Sequence, residues 1–202
     1  MIPVAQCVIP EFDKEKHVYY VDGQKVPGVS EILRGLGLSK EYGGVSPFYA
    51  ERGTAVHKAI EYLLAGELDE DTLDPLLVPY INGFKAWWKD RVFPSLPPPT
   101  EVRLYSRRLN YAGTVDLLTL PDEIWDYKCS KDPDPAFELQ GLLYENLVLE
   151  NFGVTAVFRV LQLPGENNFK VLENSESLNV PLLESIMSLW RWKTKNRRNR
   201  VR

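Results

Sequence analysis

Hydrophobic and polar positions alternate along this chain with two different periods. His17-Val-Tyr-Tyr-Val21 is rich in β-formers, Asp22-Gly23 is a tight-turn pair, and residues 25–29 return, which predicts a β-hairpin over 17–29. Ser30, followed by Glu31, predicts the start of a short helix with Ile32 and Leu33 apolar, stopped by Gly35 and Gly37. After a Gly43-Gly44 loop, Ser46-Pro47 puts proline at the first position of a longer helix that runs to Ala65 and Gly66. Asp74-Pro75 predicts the next helix, through Trp87 and Trp88 to about residue 93, and the proline-rich run 94–99 is a rigid connector.

Beyond the connector the pattern shortens. Residues 101–105, 110–120 and 123–129 predict successive strands, the last two joined by a turn at Leu120-Pro121-Asp122-Glu123. Leu139, Leu142, Leu143 and Leu147 form the apolar stripe of a helix over 135–150. Strands over 154–163 and 169–172 flank Pro164-Gly165, and a final helix covers 181–192. This order predicts an α/β fold with a central mixed β-sheet flanked by helices and an N-terminal β-hairpin. The organisation expected is one domain over 1–192, with hairpin and short helix in 1–45 and the core in 46–192, followed by a basic tail at 193–202.

Composition narrows the class. At 202 residues and 44% apolar, the chain is long enough to bury a full core, and disordered, collagen-like and coiled-coil compositions are excluded. No run approaches the roughly 20 apolar residues of a membrane helix, and the first twenty residues carry Glu11, Asp13, Lys14, Glu15 and Lys16. Neither anchor nor secretory signal is expected. Cys7 and Cys129 are too few for a disulfide framework or a four-thiolate metal site, which fits a reducing, cytoplasmic setting. The net charge of −4 hides an asymmetry: the last ten residues hold six basic side chains and no acidic one, leaving 18 basic against 28 acidic in the rest. An acidic body does not announce nucleic-acid binding by charge, so site chemistry must decide.

That chemistry gathers in two strands. Tyr111-Ala-Gly-Thr-Val-Asp116 is followed by Ile124-Trp-Asp126-Tyr-Lys128. Strand alternation puts Asp126 and Lys128 on one face, with Trp125, Tyr127 and Cys129 on the other. Asp116, late in the preceding strand, can converge on the same spot. Facing carboxylates repel unless a cation lies between them, and oxygen ligands of this kind suit Mg²⁺ or Mn²⁺. A lysine beside that cation can orient water or neutralise charge on a phosphate. A D-x-K string alone is as readily a structural ion pair; the upstream Gly-Thr-Val-Asp favours chemistry. In the long helix Gly53, His57 and Glu61 fall four apart on one face, opposite Val56, Ile60, Leu63 and Leu64. Histidine is a common metal ligand, though a His–Glu pair at this spacing is also ordinary helix chemistry. Gln140 and Tyr144 are likewise four apart.

Taken in order, G-T-x-x-H-x-x-x-E, G-T-V-D, D-Y-K and Q-x-x-x-Y resemble the RecB-like branch of the PD-(D/E)XK nuclease superfamily, most closely its phage-type exonucleases. Similar motif sets occur in mitochondrial genome maintenance exonucleases and CRISPR-associated adaptation nucleases. The lead-in from His17 to Ser30 is similar to that of the phage proteins, and the resemblance spans about residues 17–192. It implies a restriction-endonuclease-like core and a Mg²⁺- or Mn²⁺-dependent deoxyribonuclease acting in recombination, replication or repair. It implies His57, Asp116 and Asp126 as metal ligands with the Tyr127 carbonyl, Lys128 as the catalytic lysine, and Glu61 as an acidic member of the site. Gln140 and Tyr144 would border the site and contact DNA. Two cysteines cannot hold the iron–sulfur cluster of some relatives, and no Walker motif is present, so neither cluster nor ATP is expected.

Less specific features complete the reading. Arg52, Arg103, Arg107 and Arg108 could hold phosphates as readily as they could sit on a solvated surface. The tail at 193–202 could bind phosphate without sequence preference. Trp87, Trp88, Trp190 and Trp192 are expected in core or subunit packing rather than base stacking. DNA is the expected partner, with a single-strand annealing protein implied by the phage resemblance, no membrane, and host cytoplasm if phage-encoded. A flap or structure-specific endonuclease and a non-catalytic DNA-binding module remain open beside the exonuclease. Polarity, strand preference and oligomeric state are not encoded in these motifs.

Overall fold

Turn chemistry shapes the N-terminal sheet. In a computed structural model, which describes residues 8–39, 47–91, 98–119, 122–132, 134, 136–174 and 178–200, Asp22 and Gly23 both adopt positive φ (49° and 71°), as a two-residue hairpin turn requires. They join β2 (Val18–Val21) to β3 (Gln24–Val26). The expected hairpin is in fact a three-stranded antiparallel meander, because β1 (Glu11–Asp13) pairs with β2. Three residues are too few to show a period in sequence.

Helix α1 (Val29–Leu36) starts one residue before Ser30, with Gly28 at its N-cap and no side-chain cap. Gly35 does not stop it; that glycine lies inside the helix, where the Trp190 ring packs against it. Gly37, at φ 75°, ends it and donates its N–H to the Arg34 carbonyl. Helix α2 (Pro47–Ala65) ends before Gly66 at φ 73°, as expected. The Asp74-Pro75 start is corrected: Asp69 caps a single 3₁₀ turn (Glu70–Thr72), the Asp74 carboxylate takes the Leu76 N–H, and α3 (Val78–Trp88) begins later. The Gly43-Gly44 loop and residues 94–97 of the connector lie outside the described residues, as do Cys7, Leu120 and Pro121.

The main sheet has five strands in the order β4 (Thr100–Ser106), β5 (Tyr111–Thr119), β6 (Glu123–Lys128), β7 (Val157–Gln162) and β8 (Lys170–Glu173). All neighbours are antiparallel except β6 and β7, which α4 (Phe137–Phe152) connects in parallel. The fold is therefore mixed α/β, with helices on both sheet faces. One face carries α1, α4 and α5 (Val180–Arg200) over Val115, Leu118, Ile124, Phe158 and Val160. The other carries α2 and α3 over Leu117, Trp125, Tyr127 and Leu161. Trp87 is buried, Trp88 packs against the second core and Trp190 against the first, whereas Trp192 is exposed. The final helix does not end at 192; it continues to Arg200, so most of the basic tail is helical. No helix among the described residues is long and apolar enough to cross a membrane.

One close approach yields a prediction. A Cβ on Gly83 of α3 would meet the backbone carbonyl of Asn168, which cannot swing aside as a side-chain tip can. Alanine would normally gain about 1 kcal/mol over glycine within a helix. Here the clash wins, and Gly83→Ala is expected to lower stability by about 1–3 kcal/mol. A thermal unfolding midpoint equal to or above wild type would contradict this.

Candidate active site

The site forms where two strand ladders fail. Antiparallel pairing of β5 with β6 runs through Thr119–Glu123, Leu118–Ile124 and Leu117–Trp125, then stops. Continued by one step, it would set Asp116 against Asp126. Instead the Asp116 Oδ2 accepts the Tyr127 N–H at 2.7 Å, a side chain standing where a backbone acceptor would be. On the other side, the pairs Thr100–Leu117 and Val102–Val115 bracket Glu101, which therefore faces Asp116 across β4 and β5. Glu101 has φ 51°, the left-handed region, which costs a non-glycine residue of order 1–3 kcal/mol and persists only where the surroundings impose it.

Helix α2 supplies the third member. Val56, Ala59 and Ile60 anchor it in the second core, which turns His57 towards the strands. His57 Nδ1 lies 3.5 Å from Asp116 Oδ1, and Nε2 lies 3.0 Å from the Tyr127 carbonyl. Ligand atoms of His57, Glu101 and Asp116 all fall within 4.8 Å of one another. Burial pulls the His57 pKa down, but the Asp116 carboxylate and then Asp126 outweigh it, raising it to about 9. Burial pushes Asp116 up, yet His57, Lys128 and the Tyr127 N–H bring it below the usual carboxylate range. Glu101 is raised by desolvation and by Asp116 opposite. The His57 ring thus pairs with Asp116, and Glu101 lies close to both.

Asp126 and Lys128 share a face as the alternation predicts, while Trp125 and Tyr127 enter the second core. Lys128 Nζ is 2.6 Å from Asp126 Oδ2, and Gln140 donates to Asp126 Oδ1 at 2.8 Å. The Asp126 side chain is only 8% exposed but Lys128 is 31%, so the ammonium is presented outward from a buried anchor. Burial holds the Asp126 carboxyl above its usual range, against the pull of Lys128. Asp126 is not part of the His57–Glu101–Asp116 group.

Other sequence-derived candidates fall in different places. Glu61 pairs with Lys58 at 2.8 Å, one turn beyond His57. Tyr144 is 6% exposed, stacked on Phe158 and packed where a Gly113 Cβ would lie, so it supports the site from within the core. Arg52 donates to the carbonyl of Cys129, directly after Lys128. Arg103 donates to the Pro10 carbonyl. Arg107 and Arg108 sit beyond the far end of β4, about 20 Å along the strand from Glu101. There Arg108 bonds Asn146 and Glu184, tying the β4–β5 turn to α4 and α5. The Cys129 thiol is pushed up to about 12 by burial, which removes it from thiolate chemistry.

Glu101 and Tyr19 are not among the sequence-derived candidates. Counting both arms of the β4–β5 hairpin back from its turn pairs residue 101 with 116, a signal present in the two strands. Tyr19 had no such signal. The N-terminal sheet docks on β5 where β6 has diverged, through a Gly28–Ala112 bridge and an Ala112 N–H bond to the Pro27 carbonyl. That docking sets the Tyr19 hydroxyl 2.8 Å from Thr114 Oγ1, within electrostatic reach of Glu101 and Asp116.

No family model and no curated protein sequence matches the chain. Among solved structures, it is similar to a protein of Eubacterium rectale named "Putative exonuclease", at 13% identity and a TM-score of 0.49, over 87% of this chain and 75% of that one.

Proposed function

We propose that the chain is a metal-dependent deoxyribonuclease of the RecB-like PD-(D/E)XK type that hydrolyses phosphodiester bonds from DNA ends. The observation carrying this reading is the group His57, Glu101 and Asp116 beside the Asp126–Lys128 pair. The donor set fits Mg²⁺ or Mn²⁺: two carboxylates face each other with an imidazole nearby, and like charges so placed are otherwise unfavourable. His57, Glu101 and Asp116 would hold the ion, with the Tyr127 carbonyl and Asp126 adjacent. When bound, such an ion polarises the phosphoryl oxygen and lowers the pKa of water.

The chain's own residues supply the rest. His57 would have to be neutral to serve as a ligand. Gln140 and burial fix Asp126, and Asp126 fixes the Lys128 ammonium, which donates to a non-bridging phosphate oxygen as negative charge grows there. A water oxygen joins phosphorus as its proton passes to bulk water, the P–O3′ bond breaks, and the departing 3′ oxygen takes a proton from bulk water, leaving a 5′-phosphate and a 3′-hydroxyl. A role in phage-type recombination, with an annealing protein as partner, extends the same reading.

The test compares linear with covalently closed circular DNA in Mg²⁺ and Mn²⁺, with Lys128→Ala alongside. Loss of the linear form alone, abolished in the variant, is the expected result. Cutting of the circle would replace the exonuclease with an endonuclease. A mobility shift with no cutting in either metal would overturn the enzyme reading in favour of a binding module.

A further inference from the structure

The polar stripe of α2 does not begin at Gly53. Counting back four residues from Gly53 reaches Tyr49, so Tyr49, Gly53, His57 and Glu61 occupy successive turns of one face. Tyr49 is 53% exposed and its neighbour Phe48 is 47% exposed, high values for large aromatic side chains. The two rings are fixed edge to face, 5.7 Å apart at 75°. Arg52 lies 5.0 Å from the Tyr49 centroid and 6.0 Å from that of Phe48, while its guanidinium is tethered to the Cys129 carbonyl. Between Tyr49 and His57, nothing apart from its chain neighbours and the helix's own backbone comes within 4 Å of where a Gly53 Cβ would be.

These features describe two exposed rings set nearly at right angles, each with an accessible face, a cation beside them, and open space at Gly53 one turn before His57. The eight helical steps from Tyr49 to His57 span about 12 Å of helix axis, the length of about three stacked nucleotides. We propose that Phe48 and Tyr49 are a base-stacking platform for a single-stranded DNA end, whose backbone passes over Gly53 to the site at His57. The identity of the occupant rests on the nuclease reading. Interior duplex bases do not fit this role, since they are stacked on both faces, and a blunt end offers only the outer face of its last pair. Unpaired bases stack on aromatic side chains whatever their sequence, and Arg52 adds charge complementary to the phosphates. The platform would make the enzyme select single-stranded or frayed ends over blunt duplex.

The test is fluorescence anisotropy in EDTA, where cleavage cannot occur, with a labelled oligo-dT strand and a blunt hairpin duplex as probes. Tyr49→Ala and Phe48→Ala are each expected to weaken oligo-dT binding about tenfold, the loss of one stacked base. Tyr49→Phe is expected to bind as wild type, and none of the three should alter duplex binding. Both side chains are half exposed, so their removal leaves the core intact. Equal losses on both probes, or unchanged oligo-dT binding, would overturn the platform. So would a wild type that does not bind oligo-dT. Failure of the nuclease reading is separable: Tyr49-dependent oligo-dT binding without cleavage in Mg²⁺ or Mn²⁺ keeps the platform and removes the enzyme. Cleavage with Tyr49→Ala binding like wild type does the reverse.

Discussion

Asp116→Asn is expected to reduce DNA cleavage in Mg²⁺ or Mn²⁺ by more than about 100-fold, the loss that even an outer-shell metal partner can cause. Asp116 joins three parts of the site: it faces Glu101, meets His57 Nδ1, and takes the Tyr127 N–H. Asparagine keeps an oxygen for that N–H, so the junction of β5 and β6 survives while the charge is lost. A second readout separates metal binding from catalysis. An ion that binds only the folded protein raises its unfolding temperature by mass action. Wild type is expected to show that rise on titration with Mn²⁺, and Asp116→Asn to show little of it. A variant that cleaves at wild-type rate, or that is stabilised by Mn²⁺ as wild type is, would remove Asp116 from the centre of the site.

The second large effect concerns stability. Glu145, on α4, is 3% exposed; its Oε1 accepts the Phe158 N–H at 3.1 Å, and its Oε2 has no hydrogen-bond partner among the described residues. Burial raises its pKa to about 7, only partly offset by that N–H. The folded state therefore holds a proton that the unfolded chain releases near its ordinary value of 4.5. Where the folded state binds more protons, stability falls as pH rises. Wild type is expected to lose up to about 3 kcal/mol between pH 4.5 and 7.5 through this one group, with little further change above. Glu145→Gln keeps an acceptor for Phe158 and cannot ionise, so this part of the slope should vanish. Denaturant unfolding at pH 5, 6, 7 and 8 checks it, and parallel curves for the two proteins would refute the assignment.

Much of the site was legible before any tertiary contact. Alternation along 124–128 separates Asp126 and Lys128 from Trp125 and Tyr127, and the fold keeps that division. Four-residue spacing puts Gly53, His57 and Glu61 on one helix face. The glycine of Gly-Thr-Val-Asp gains a packing reason, because the Tyr144 ring occupies the space its Cβ would need. These are local properties: a strand repeats every two residues and a helix every 3.6, whatever surrounds them.

What the sequence by itself determined is thus most of the elements, the α/β class and the shared faces of Asp126 with Lys128 and of His57 with Gly53. Tertiary structure alone decided which faces meet. The divergence of β5 and β6 left Asp116 to accept a backbone N–H, and the packing of α2 brought His57 to it. Docking of the N-terminal sheet delivered Tyr19, and α5 ran on through residues expected to be a tail. Arg107 and Arg108, close in sequence to Asp116, were carried to the far end of the hairpin. The physical reason is common to all of these. Periodicity is written residue by residue, but register and docking follow from which apolar surfaces can be buried against each other, a choice made by the whole chain at once.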